Sequence, residues 1–157
     1  MDQETDRVPR LWSATEALQK LRSRELTIEQ YAASLLVRIK QRDDDVKAWA
    51  YLNPDAVMEQ ARALDKVPFE QRGPLHGLPV GIKDIILTKG KSWQIWHKDC
   101  VVNFPVDMPT EHGSKIYKND HPEIDAGSVM VLRHAGCLIF GRPLLSHSQA
   151  FRSQSRR

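Results

Sequence analysis

Residues 73–86 read Gly-Pro-Leu-His-Gly-Leu-Pro-Val-Gly-Ile-Lys-Asp-Ile-Ile, and no other stretch of the 157-residue chain constrains its fold as much. Gly73, Pro74, Gly77 and Pro79 punctuate a loop running from Pro68 to Pro79. Val80, Ile82 and Ile86 carry β-branches, so Val80 to Ile86 is predicted as a strand. That strand sets one lysine, Lys83, among apolar neighbours. A lysine so placed either snorkels outward, satisfied by a neighbour such as Asp84, or sits in a dry pocket. A dry pocket disfavours an ammonium charge, and a neutral lysine amine is a proton acceptor.

The residues before this loop carry helical signals. Ser13-Ala14-Thr15-Glu16 is a capping-box pattern, with Ala14, Ala17, Leu18 and Leu21 following on one face. Thr27-Ile28-Glu29-Gln30 repeats the device. Ile28, Tyr31, Ala32, Leu35, Leu36 and Ile39 then recur at helical spacing up to the acidic run Asp43-Asp44-Asp45. Asn53-Pro54 starts a third helix with Val57, Ala61 and Leu64 on its apolar face.

A second α/β unit is predicted late in the chain. Asp125 or a near neighbour caps a helix through Ala126, Val129, Met130 and Arg133, and Gly136 stops it. Cys137-Leu138-Ile139-Phe140 reads as a short buried strand closed by Gly141. Strand, helix, strand implies a parallel crossover. The fold class is therefore α/β, with N-terminal helices packed on a partial, mixed or parallel sheet. Two segments fit poorly. Residues 89–106 carry Trp93, Trp96 and Cys100 with no period and read as an atypical insert. Residues 143–157 read as a divergent, disordered basic tail.

Charge sets limits on partners. Four of the 23 basic residues (Arg142, Arg152, Arg156, Arg157) lie in residues 141–157, where no acid stands. The remaining 19 face 20 acidic residues, so the body is close to neutral. Arginines without interleaved aromatics are a poor nucleic-acid signature. Cys100 and Cys137 form no CxxC pair and read as two unpaired thiols. The histidines show no HExxH or other ligand spacing. No apolar run is long enough to span a membrane, and the charged first ten residues are no secretory signal. A cytoplasmic location is the expectation.

The run from Gly73 to Asp84 closely resembles the lysine motif of the amidase signature family. Met108-Pro109-Thr110-Glu111-His112-Gly113-Ser114 and the block Asp125 to Gly141 resemble later segments of that family, and the N-terminal helices look like its opening helices. The resemblance covers about residues 10–142, interrupted by 89–106. It implies a domain at 1–142 that is the N-terminal portion of an amidase, with the incomplete sheet of that fold. It also implies hydrolysis of a carboxamide C–N bond by a Ser–cis-Ser–Lys mechanism, with Lys83 as the catalytic base and no metal or organic cofactor.

In that family both serines lie in a Gly/Ser-rich stretch beyond the strand that Cys137–Phe140 resembles. Residues 143–157 hold no such stretch, and Ser146, Ser148, Ser153 and Ser155 lack flanking glycines. The expectation is a truncated amidase-family form that lacks both serines and is inactive. The expected partner is a small-molecule amide, with no nucleic acid and no membrane. Two alternatives stand beside it. One is a non-catalytic fragment that pairs with a full-length relative. The other is a piece resembling the amidase-like subunit of a tRNA-dependent amidotransferase.

Overall fold

The computed structural model describes residues 9–89, 93–97, 100–104, 108–112 and 114–144, with the side chains of 93–97, 100–104 and Lys115 outside the description. The tail beyond Leu144, with Ser146, Ser148, Ser153 and Ser155, lies outside the described residues, as does part of the 89–106 segment.

Each of the three helix starts read from sequence forms as its residues require. Helix α1 (Ala14–Ser23) opens on a closed capping box, in which Ser13 and Glu16 each accept the other's backbone N–H. Helix α2 (Ile28–Val46) opens on a second box between Thr27 and Gln30. Helix α3 (Pro54–Asp65) has Pro54 in its first turn, and Asn53 Oδ1 accepts the Ala56 N–H at 3.1 Å. Helix α2 ends on Lys47, at φ 50°. There Asp43 accepts from Ala48, 2.7 Å away, and turns the chain into a short strand, β1 (Trp49–Tyr51).

The N-terminus of α2 is held by a second anchor from far along the chain. Asp65, the last residue of α3, accepts the Ile28 and Glu29 N–H groups at 2.9 and 3.0 Å. A carboxylate at a helix N-terminus satisfies orphan donors and meets the positive end of the dipole. The contact locks α2 against α3, and between them lie Ile28, Tyr31, Ala32, Val57, Ala61 and Leu64.

The sheet is mixed and runs β1–β5–β2 among the described residues. Strand β5 (Leu138–Pro143) lies in the middle, parallel to β2 (Pro79–Gly81) and antiparallel to β1. Leu138 to Arg142 are all buried, the continuous pattern of a strand covered on both faces. Helix α4 (Gly127–His134) makes the connection between the parallel pair. Its N-cap is Ala126, not Asp125, and Gly136 sits just past its end at φ +85°, where glycine carries no Cβ penalty. In the segment read as an atypical insert, strands β3 (Trp93–His97) and β4 (Cys100–Phe104) pair as an antiparallel hairpin.

Two strand boundaries differ from the sequence reading. Strand β5 runs on through Gly141 to Pro143, because β1 pairs with its second half. Strand β2 stops at Gly81, although the β-branched residues continue. The Ile82 N–H still donates to the Gly141 carbonyl at 2.9 Å, but beyond it the backbone turns, with the Ile86 N–H on the Lys83 carbonyl. Tertiary hydrogen bonding overrides the local propensity.

The Gly73–Leu78 loop is stitched to the turn that joins α4 and β5. Leu75 donates to the Ala135 carbonyl and Gly77 to the Gly136 carbonyl, each at 2.9 Å. Gly77 itself stands at φ +80°, with the Ile28 side chain where a Cβ would go. His76 is buried, and its Nε2 donates to the Leu64 carbonyl at 3.0 Å. Burial pulls the His76 pKa below the ordinary imidazole range, partly opposed by the Leu64 carbonyl.

Two outcomes follow for stability. Asp65→Ala strips two charge-assisted bonds from the start of α2, and urea denaturation should show a loss of about 2 kcal/mol. His76 binds its proton more weakly when folded than when unfolded. Stability therefore falls as pH drops below the ordinary imidazole pKa of about 6.5. His76→Gln keeps a donor for Leu64 but does not titrate, so its thermal transition should fall less between about pH 7.5 and 5.5 than that of the parent chain. Equal slopes would remove His76 from the account.

Candidate functional site

Lys83 stands two residues past the end of β2, not inside a strand. Its side chain is half-buried. Among the described residues no hydrogen bond or ion pair of its amine is seen, whereas its carbonyl is held twice. The Ile86 N–H reaches that carbonyl at 2.9 Å and the Arg142 guanidinium at 3.5 Å. The lysine therefore stands at the head of a closed turn whose first carbonyl meets two donors.

Asp84, the neighbour read as a partner for Lys83, is buried and engaged elsewhere. Its Oδ1 accepts the Glu111 N–H at 3.1 Å and lies 3.8 Å from Arg142 Nη1. Arg142 itself has no exposed surface. Its Nη1 donates to the Ile86 carbonyl at 3.2 Å and its Nη2 to Thr110 Oγ1 at 2.5 Å. Desolvation lowers the Arg142 pKa, and Asp84 opposes the shift. The guanidinium keeps its charge regardless, since its starting value is so high. Lys83, Asp84, Thr110, Glu111 and Arg142 thus form one cluster, drawn from the turn after β2, the segment 108–112 and strand β5. Of these, the sequence singles out Lys83 alone.

A second buried pair braces the same region. Arg133 of α4 lies 3.1 Å from Asp125, both side chains almost fully covered. Asp125 Oδ1 also accepts the Lys89 N–H at 2.7 Å. Asp125, next to the Ala126 cap, thus ties the chain leaving the Lys83 turn to the start of α4.

Other candidates take structural places. Cys137 is a buried free thiol whose pKa desolvation pushes up to about 11, so it stays protonated at neutral pH. Ser114 accepts the Ile116 N–H within a turn, and Ser128 is exposed in the first turn of α4. The Cys100, Trp93 and Trp96 side chains lie outside the described residues. Among the described residues no group of His, Cys, Asp or Glu is arranged to hold a metal, and no helix is long and apolar enough to cross a membrane. A cleft of about 350 Å³ opens beside Leu21, Phe69, Arg72 and His76, at the far end of the loop from Lys83, which does not line it.

Comparison with known proteins agrees with the motif reading. The Amidase family model matches residues 30–94, a span that contains Lys83. The chain is 35% identical over 130 residues to a glutamyl-tRNA(Gln) amidotransferase subunit of Lysinibacillus sphaericus, covering 83% of this chain and 23% of that protein. Among solved structures, a native peptide amidase from Stenotrophomonas maltophilia superposes with a TM-score of 0.64 at 27% identity, covering 92% of this chain and 25% of the other. Another amidase crystal structure gives a TM-score of 0.66 at 32% identity, covering 84% and 26%. The chain spans about a quarter of the length of each of these relatives. Motif, mixed sheet and superposition converge: across the stretch it shares with these proteins, the chain is similar to amidases in sequence and has the fold of the corresponding part of amidase structures.

Proposed function

We propose that residues 10–142 carry the lysine base of an amidase that cleaves the C–N bond of a small carboxamide. The observation behind this reading is the Lys83 turn: a half-buried lysine, whose carbonyl meets a buried arginine, inside the family-matched span. In this mechanism the Lys83 amine takes a proton from a bridging serine hydroxyl. That hydroxyl takes one from the nucleophilic serine, whose oxygen attacks the amide carbonyl. Backbone N–H groups hold the oxyanion, the amine leaves with a proton, and water releases the acid from the acyl-enzyme. No metal or organic cofactor enters the cycle.

Residues 1–157 supply the base and its fastening; the two serines belong to a Gly/Ser-rich stretch that these residues do not hold. We expect the chain alone to be inactive. A second reading has a specific observation behind it, the 35% identity to a subunit of a glutamyl-tRNA(Gln) amidotransferase. In that case the same base serves one component of a larger assembly, and the amide is still the bond broken.

The test uses two preparations. The chain alone should neither hydrolyse a 4-nitroanilide nor take up a serine-directed fluorophosphonate. Residues 10–142 should support hydrolysis when grafted in place of the matching quarter of an amidase relative, and Lys83→Ala in that chimera should lower kcat by about 10³-fold, the scale of a lost general base. Full turnover by the Lys83→Ala chimera would end the reading.

A further inference from the structure

We propose that Arg142 is a positioning residue for Lys83, acting through the peptide carbonyls of the Lys83–Ile86 turn. The inference rests on the reading of Lys83 as a base only for what the positioning serves; the positioning itself is argued from geometry.

The ladder between β2 and β5 delivers the arginine to this place. Gly81 pairs with Gly141, and the Ile82 N–H donates to the Gly141 carbonyl. At the next step β2 has ended, and the backbone of β5 no longer meets it. The side chain of Arg142 takes over where backbone pairing stops, with Nη1 facing the Lys83 and Ile86 carbonyls. Those carbonyls bracket the turn that sets the direction of the Lys83 side chain. Nη2 reaches the other way, to Thr110 on the segment that also binds Asp84 through Glu111. Nε carries no hydrogen bond among the described residues, so the arginine works entirely through the two ends of its fork.

A planar fork is required. A lysine ammonium has three donors on one atom at the end of a flexible stem, and lacks the fixed two-ended spread that meets two carbonyls on one side and a hydroxyl on the other. Stability is a weak reason for such a group, because a well-packed apolar replacement of a buried ion pair is often neutral or better. A buried cation that grips the first and last carbonyls of the turn beginning at a half-buried lysine is a device for fixing direction. Its place in the sequence, 59 residues after Lys83, leaves the two linked only through the fold.

The experiment reads the turn directly in the full chain. Amide exchange by NMR compares Ile86, inside the turn, with Leu35 and Leu36 of α2. Competitive acylation compares the Lys83 amine with that of Lys47, an exposed lysine used as internal standard. Arg142→Lys should accelerate Ile86 exchange about tenfold, leave the α2 amides unchanged, and alter the Lys83-to-Lys47 labelling ratio about threefold or more. Thr110→Val removes only the Nη2 partner and serves if Arg142→Lys does not fold; it should move the same two readings in the same direction by a smaller factor. Exchange that rises equally in α2 would make Arg142 a general stability residue and overturn the proposal, as would an unchanged Ile86 amide or an unchanged labelling ratio. Neither reading needs turnover. A chimera that fails to hydrolyse amides therefore counts against the base alone.

Discussion

Strand β5 is the constraint on which the rest depends. Five consecutive residues of it are buried, and it lies between the other two strands of the three-stranded sheet. It carries both the apolar anchor of the core and the arginine that binds the carbonyls of the Lys83–Ile86 turn. Leu138, Ile139 and Phe140 pack into the cluster shared with α1, α2 and α3. Gln60 of α3 accepts the Ile139 N–H at 2.7 Å, a polar contact inside that apolar layer. One residue past the glycine that ends the β2 pairing, the same strand turns from packing to electrostatics. A single element thus joins the stability of the fold to the placement of Lys83.

The helices are legible in the sequence because their signals are local. Ser13 with Glu16, Thr27 with Gln30 and Asn53 with Pro54 act within three or four residues, and the apolar faces follow a period that needs no tertiary knowledge. Strand extents are not. β1 is three residues long, too short to show a period, and exists because β5 offers an edge to Trp49–Tyr51. β2 ends early, where the chain closes the Lys83–Ile86 turn and Arg142 meets its carbonyls. In the sequence that arginine groups with the basic tail, since charge near the end of a chain reads as solvated. The signal that points the other way is its position directly after Leu-Ile-Phe-Gly, a run that implies burial on both faces.

Lys83 is legible as the residue the motif is built around, and its surroundings are not. The motif marks the residue, while Thr110, Glu111 and Arg142 come to it only through the crossover. Asp84 shows the same limit in reverse: adjacency suggests a partner for Lys83, but the fold turns its carboxylate toward a guanidinium from the far end of the domain. His76, also within the motif, serves as a bolt between the loop and α3.

The neck of the long crossover has a consequence for how this chain can vary. Lys89 is tied to Asp125, Ala126 to Leu87, Thr110 to Arg142 and Met108 is buried, so the path between positions 89 and 108 leaves and re-enters at fastened points. Lengthening such an excursion is thermodynamically cheap, about 0.6 kcal/mol for each doubling. The hairpin at 93–104 therefore occupies a position where a lineage can add, trim or rewrite residues while the amine, its turn and the strand beneath them keep their places.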